Sequence, residues 1–343
     1  MKLKNLDAAL ITKRVNYMYL SGFTGTSAIL YITHDRAALI TDFRYTQQAA
    51  AQAPDYEIVR YQGSVYDELN KLLESDNISE LSFEDSDLTY SQYTDYTNKL
   101  SVRLVPLGRM AEELRIVKED AELRLIKKSV DIADQVFSHI LGFIRPGISE
   151  LEIAAEIEHH MKRLGAQGPS FETIVASGRR ASMPHGVASD KEVQAGDVIT
   201  MDFGAIYEGY CSDITRTVFL GKPAGEMEKI YNIVLEANLL GLEAVQSGRS
   251  GKQIDAVVRE FICKAGYGEY FGHGLGHGTG LEIHEDPTLS VRGDMILKDG
   301  MVVTVEPGIY LPDLGGVRIE DMVVADGMKA RVLTASTKDM IVL

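Results

Sequence analysis

Two pairs of acidic residues set in apolar, strand-like stretches are the first candidates for chemistry. Asp202 and Asp213 lie in ITMDFGAIYEGYCSDITRTV, and Glu306 and Glu320 lie in MVVTVEPGIYLPDLGGVRIEDMVV. Aspartate has poor strand propensity, so two of them inside such runs need a reason. A hairpin turning through Tyr207–Gly209 can bring Asp202 and Asp213 side by side on one face. Between the two pairs runs YFGHGLGHGTGLEIHEDP, with His273, His277 and His284 in a glycine-rich segment. Four carboxylates converging in a half-buried site repel one another, and burying them bare is prohibitive. Two divalent cations offset those four charges. One imidazole added to the carboxylates makes a mixed oxygen/nitrogen donor set, which suits Mn, Co, Fe or Zn better than a thiolate site would. Paired cations about 3.5–4 Å apart, with a bridging water as nucleophile, are the arrangement of aminopeptidases and phosphatases.

Each residue alone has a plainer reading. A single strand Asp is more often an edge or turn residue, and a single His a solvated or satisfied one. The joint pattern carries the weight. The glycines at 272–280 fall at alternate positions and do not form GxGxxG, and Gly251-Lys252 lacks the rest of a Walker loop. His284-Glu285 does not continue to HExxH, because position 288 is Thr. His34, His139, His159 and His160 sit in polar or helical settings and read as structural or solvated. Cys211 and Cys263 read as small core residues.

The chain has 343 residues, which implies two domains at the usual ~100–200 residues each. A hydrophobic fraction of 45% with 25% charged residues excludes a disordered or fibrous chain. The net charge of −15 argues against nucleic acid or an anionic membrane as partner, and favours cations. With 2 Cys there is no disulfide framework and no cysteine zinc cluster. MKLKNLDAALITKR shows no apolar leader pattern, and no run is apolar enough to span a membrane. A cytoplasmic protein is expected.

In the first hundred residues, strand-like runs (Ala8–Ile11, Ala28–Ile32, Ala37–Ile40, Glu57–Tyr61, Leu81–Glu84, Val102–Val105) alternate with helical spacing at Tyr45–Ala53, Tyr66–Leu73 and Ser91–Leu100. That alternation predicts a small α/β domain with a partly parallel sheet, over residues 1–115. A boundary falls near 107–118. Beyond it, Lys118–Phe143 reads as an amphipathic helix, stopped by Arg145-Pro146-Gly147. Ser149 with Glu152 is a capping box for the next helix, to about Leu164. Strands are predicted at Ile174–Ala176, Val198–Phe203, Thr215–Leu220, Val302–Val305 and Val317–Val324, and helices near 226–246 and 250–265. The segments 198–220 and 302–324 echo one another, each a strand pair with two acids.

The order Asp, Asp, His, Glu, Glu within MDFG, SDITRT, GHGLGHGTGLEIHEDP, VEPGIY and GVRIED resembles the pita-bread metallopeptidases. These include proline dipeptidase, aminopeptidase P, creatinase and methionine aminopeptidase. The resemblance covers residues 118–343. The N-terminal part, with NYMYLSGFTGTSA and ALITDFRY, resembles the smaller creatinase-type domain. The resemblance implies an α+β catalytic domain with a curved antiparallel sheet flanked by helices. It implies two divalent metal ions per chain, Mn ahead of Co, Zn or Fe, held by Asp202, Asp213, His277, Glu306 and Glu320. Asp213 and Glu320 would bridge, and Glu306 would also hold the bridging hydroxide and shuttle its proton. His185, in SMPHG, and His284 match family histidines facing the substrate, so His185, His284 and Glu306 are the implied catalytic residues. Thr215 would support a ligand carboxylate. His273, four residues before His277, and Arg318, two before Glu320, match the proline-specific branch and are the implied substrate-binding residues. The size of the first domain also favours that branch.

The resemblance therefore implies attack of a metal-bridging hydroxide on the bond between an N-terminal residue and proline, by a dipeptidase or an aminopeptidase. The substrates would be short proline-containing peptides, with a homodimer as the assembly. The alternatives are a methionine aminopeptidase-like specificity and a non-catalytic peptide-binding member of the fold. Creatinase itself, which uses no metal, fits less well.

Overall fold

The computed structural model describes residues 6–343; the opening MKLKN, part of the stretch read above for a leader, lies outside the described residues. The chain divides into two compact units, one ending at Arg115 and one beginning at Ile116.

The first unit is built on one six-stranded mixed sheet. From edge to edge the order is Glu57–Arg60, Ala37–Thr41, Ala28–Thr33, Ala8–Ile11, Glu80–Phe83 and Arg103–Pro106. Ala8–Ile11 pairs antiparallel with Ala28–Thr33 and parallel with Glu80–Phe83, so the sheet is partly parallel as expected. Ala8–Ile11 is buried on both faces, which is why it reads as an unbroken apolar run rather than an alternating one. Leu10, Ile40 and Leu73 pack on one face, and Ile11, Leu39 and Ala49 on the other.

Two helices of this unit were not foreseen, Arg14–Ser21 and Met110–Arg115. Neither has a side-chain N-cap of the usual kind to announce it, and Lys13 makes no capping bond. The first is held instead by a distant carboxylate. Glu84, buried at the end of Glu80–Phe83, accepts from the backbone N–H of Thr12 at 2.6 Å and of Lys13 at 2.7 Å, and from the Asn16 side chain at 2.5 Å. Glu84→Ala is expected to leave those donors bare at a cost of about 1–3 kcal/mol for each one that water cannot reach. Urea unfolding of the variant would show it as a fall in midpoint.

The second unit pairs helices with antiparallel ladders, twice. The helices Asp120–Ile140 and Glu150–Arg163 share a core with Ile174–Ser177, Val198–Phe203 and Ile214–Phe219. The helices Gly225–Ala244 and Gly251–Lys264 share a second core with Val302–Val305 and Asp321–Asp326. Asp120–Ile140 buries Ile126, Val130, Ala133 and Phe137, one stripe at steps of three and four. Ser149 and Ser250 both close capping boxes, with Glu152 and Gln253. All six residues of Ile214–Phe219 and all four of Val302–Val305 are buried, so these strands are covered on both faces.

Three expectations are corrected. Asp202 and Asp213 do not face one another across a simple hairpin. Asp202 is opposite Thr215, and Asp213 lies just before the strand Ile214–Phe219. The intervening chain forms two further short strands, Ala205–Tyr207 and Tyr210–Cys211, which join a separate ladder with Gly168–Pro169. Val317–Val324 is not one strand. Gly315–Arg318 pairs with Gly308–Leu311, whereas Asp321–Asp326 pairs with Val302–Val305, so Ile319 and Glu320 form the junction between two ladders. Cys211 is buried, but Cys263 is exposed on the outer side of its helix. The echo between the two acidic segments takes a definite form. In each, one acid sits at or just past the end of a strand, and the other just before the start of its antiparallel neighbour.

Candidate metal centre

Asp202, Asp213, His277, Glu306 and Glu320 all line one cavity of about 510 Å³, together with His185, His273, His284 and Arg318. Nine residues scattered from position 185 to 320 thus meet at a single place. Oxygen or nitrogen atoms of Asp213, His277 and Glu320 lie within 4.8 Å of one another. His277 Nε2 is 3.6 Å from Asp213 Oδ2 and 3.4 Å from Glu306 Oε1. The ring of His284 stands edge-on to that of His277, with centroids 4.3 Å apart.

Close backbone packing positions these groups. Gly276 precedes His277, and a Cβ there would fall 2.1 Å from the Thr304 carbonyl oxygen, so only glycine lets this strand press against Val302–Val305. Thr304 then serves both neighbours. It accepts from the His277 backbone N–H at 3.1 Å and donates to Glu306 Oε1 at 3.1 Å. The His277 Nδ1 lies 3.1 Å from the Gly278 carbonyl, which can only accept. Nδ1 therefore carries the proton, and the Nε2 lone pair is left pointing at Asp213 and Glu306. Thr215 Oγ1 donates to Glu320 Oε2 at 2.7 Å, the supporting contact expected of it.

Arg318 is the cation among the lining residues, and every part of its guanidinium is engaged. It donates to Asp202 Oδ2 at 2.6 Å, to Tyr310 Oη at 2.9 Å, to Thr215 Oγ1 at 3.0 Å and to the Pro184 carbonyl at 3.1 Å. The last contact pins the loop that carries His185. Tyr310 Oη is also 2.9 Å from His273 Nε2, and His273 Nδ1 is 2.8 Å from the Gly274 carbonyl. Asp202, Arg318, Tyr310 and His273 thus form one hydrogen-bonded chain along the cavity wall. Glu150 anchors the other side of the His185 loop. Its carboxylate is fully buried and accepts from Ser177, Arg180 and Ser189.

The electrostatics match a cation site. Burial drives the Asp213 and Glu320 carboxyls well above the ordinary range, and the neighbouring carboxylates push further in the same direction. Burial raises Glu306 to about 7, partly offset by Arg318. Burial lowers His277 and His284, and takes His273 down to about 4, so these imidazoles are neutral near pH 7. Burial would pull Arg318 down, but Tyr310 and Asp202 hold it firmly charged. One guanidinium does not balance four carboxylates. Asp202 Oδ1 is moreover buried with no hydrogen-bond partner. Divalent cations would supply that partner and reverse the upward pressure on the acids. The residues present therefore fit the metal that their types imply.

Thr304, Tyr310 and Glu150 were not singled out from sequence. Thr304 had a signal, because it stands on the strand Val302–Val305 two residues before Glu306, which follows the strand's end. Tyr310 lies across the Gly308–Leu311 and Gly315–Arg318 pairing from Gly316, a register at which the paired glycines 315 and 316 hint. Glu150 had none.

A mixed N-terminal sheet, followed by paired helices and antiparallel ladders around an acidic, imidazole-bearing cavity, defines a two-unit metallopeptidase with the pita-bread architecture. Residues 124–326 match the model for metallopeptidase family M24, and residues 1–117 match the creatinase/prolidase N-terminal domain. The chain is 40% identical to an Xaa-Pro dipeptidase of Pyrococcus furiosus, over 98% of this chain and 96% of that one. Among solved structures, an Xaa-Pro dipeptidase from Bacillus anthracis superposes with a TM-score of 0.97 at 48% identity, covering 98% of this chain and 95% of that one. An X-Pro aminopeptidase from Thermotoga maritima gives 0.95 at 41% identity, covering 100% and 99%. The chain belongs to metallopeptidase family M24.

Proposed function

We propose that this protein is a dinuclear metallopeptidase that cleaves the bond between an N-terminal residue and proline. Residues 118–343 would form the catalytic domain, and residues 1–115 a creatinase-type domain that helps pair two chains. The observation that carries the reading is the convergence of all nine singled-out residues on one cavity. The names of the similar proteins support the proline preference. Asp202, Asp213, His277, Glu306 and Glu320 would hold two divalent ions, with Mn the first choice on this oxygen-rich donor set. Bound there, such ions supply an activated water and neutralise the charge that develops on the scissile carbonyl.

The chain's own groups do the rest. Glu306 can take a proton at its carboxylate and pass it to the departing nitrogen. That nitrogen carries no hydrogen in an Xaa-Pro bond, so a mechanism resting on an amide N–H donor fails there. His284 and His185 reach into the cavity where donors are needed to hold the carbonyl oxygen. Arg318 and His273 are committed to one another through Tyr310, so their part is to position Asp202 and the His185 loop and to wall the proline side. A cavity of about 510 Å³ suits a short peptide segment.

This commitment of Arg318 bears on substrate length. A free dipeptide brings the proline carboxylate into the cavity, and the lining residues offer it no uncommitted guanidinium or ammonium group. Substrates whose proline carboxyl is already in an amide avoid that cost. Purified enzyme loaded with Mn, offered Gly-Pro, Gly-Pro-amide, a longer Gly-Pro peptide and a Met-Ala peptide, is expected to favour the amide and the longer peptide by about tenfold or more in kcat/KM. Cleavage of the Met-Ala peptide alone would overturn the proline assignment. A preference for free Gly-Pro would overturn only the length assignment.

A further inference from the structure

A second group of metal-type donors lies outside the cavity, where two helices of the second unit pack together. His139 is in the last turn of Asp120–Ile140, and Glu156 and His160 are one turn apart on Glu150–Arg163. Residues four apart on a helix share a face, so Glu156 and His160 both point at His139. His139 Nε2 is 2.6 Å from Glu156 Oε1. The rings of His139 and His160 stack face to face, with centroids 3.9 Å apart and planes within 6°. One donor atom from each of the three residues falls within 4.8 Å of the others. None of the three lines the cavity described above.

Two features make this more than a helix–helix hydrogen bond. The Nδ1 atom of His160 is buried and has no hydrogen-bond partner, a cost that a native structure normally avoids. Burial and the neighbouring His139 also hold the His160 imidazole below its ordinary pKa, so it is neutral and keeps a lone pair for a metal. A single dication would accept a lone pair from each ring and a charge from the carboxylate, and so give the orphaned His160 nitrogen a partner. We propose that His139, Glu156 and His160 form a separate binding site for a divalent transition metal of the zinc class, with the fourth position open to water. Two imidazole nitrogens and one carboxylate oxygen are a donor set of that class. Ligand bonds of about 2.0–2.2 Å would require the stacked rings to turn out of parallel, so that their in-plane lone pairs converge on one ion. The side chains of His139 and Glu156 are 37% and 26% exposed, so an ion has a route in from solvent. Such an ion would clamp the C-terminal turn of one helix to the C-terminal half of the next.

The test counts ions. Intact protein first saturated with Mn is titrated with Zn in a calorimeter, and its metal content is read by elemental analysis after gel filtration. Co in place of Zn adds the visible absorption that reports four-coordinate geometry. Wild type is expected to hold one more ion per chain than His160→Gln and Glu156→Gln, while all three keep the same Mn-supported peptidase activity. Thermal unfolding should show a Zn-dependent rise in wild type that is absent from both variants. Using two variants guards against one that fails to fold. An equal ion count and an equal Zn response in wild type and the folded variants would overturn the site and leave a plain His–Glu hydrogen bond.

Discussion

Glu320→Gln is expected to abolish peptide cleavage by a factor on the order of 10³ or more, equivalent to ~4 kcal/mol of barrier. The variant should at the same time make the metal-free protein no less stable. The two effects have one cause. Without ions, the carboxyls of Asp213, Glu306 and Glu320 are driven upward by burial and by neighbouring carboxylates, Asp202 among them in each case. A raised acid in the folded state binds a proton that the unfolded chain has already released, so stability falls as pH rises from the ordinary carboxylate value through the folded one. For Glu306 that window runs from 4.5 to about 7. Glutamine keeps the shape and can still accept from Thr215, but it removes one member of the repelling set. Thermal unfolding of metal-free wild type should therefore weaken across this pH range, and the variant's curve should be flatter. Adding Mn should raise the melting temperature of wild type and do much less for the variant. A variant that stayed active with its ions in place would remove Glu320 from the proposed ligand set.

Arg318→Met should cost about 3–5 kcal/mol of stability in the metal-free protein, because it leaves the Asp202 carboxylate buried without its cation. The side chain of Arg318 is 3% exposed, so solvent does little to screen the loss. It also releases Tyr310, Thr215 and the Pro184 carbonyl at once. Arg318→Lys should recover only part of this, since one ammonium group cannot reach four acceptors that a planar guanidinium spans. Urea unfolding measures the loss. The deficit is expected to shrink when Mn is present, because an ion at Asp202 supplies the missing positive charge. Activity should fall in both variants, through displacement of Asp202 and of the loop that carries His185. An Arg318→Met protein as stable as wild type would show that Asp202 is solvated and that the chain through Tyr310 carries little.

Much of the frame was legible because local patterning and burial agree. Ala8–Ile11, Val198–Phe203 and Val302–Val305 are strands where their apolar runs say they are, and the Ser149–Glu152 box opens its helix where expected. Local patterning is silent where a distant partner decides. Arg14–Ser21 is a helix whose start is held by Glu84 from another strand. Val317–Val324 reads as one β-run, yet it divides at Ile319–Glu320 because its two ends pair with different strands. Cys263 looks like a core residue by type, but its position around the helix places it outside. His139 and His160 read as structural or solvated, and only helix packing brings them together with Glu156.

The amino-acid order alone determined which residue types were available for a metal centre and in what succession, because unusual acids in apolar strands and clustered glycines leave a mark on one dimension. The family resemblance rested on that succession. Tertiary structure alone decided which atoms meet: the proton on His277 Nδ1, the Arg318 bridge from Asp202 to Tyr310, and the orphaned oxygen of Asp202. These depend on hydrogen bonds between strands distant in sequence, such as the 116 residues separating Asp202 from Arg318. Their geometry is set by sheet register and by close glycine packing, which no local spacing encodes.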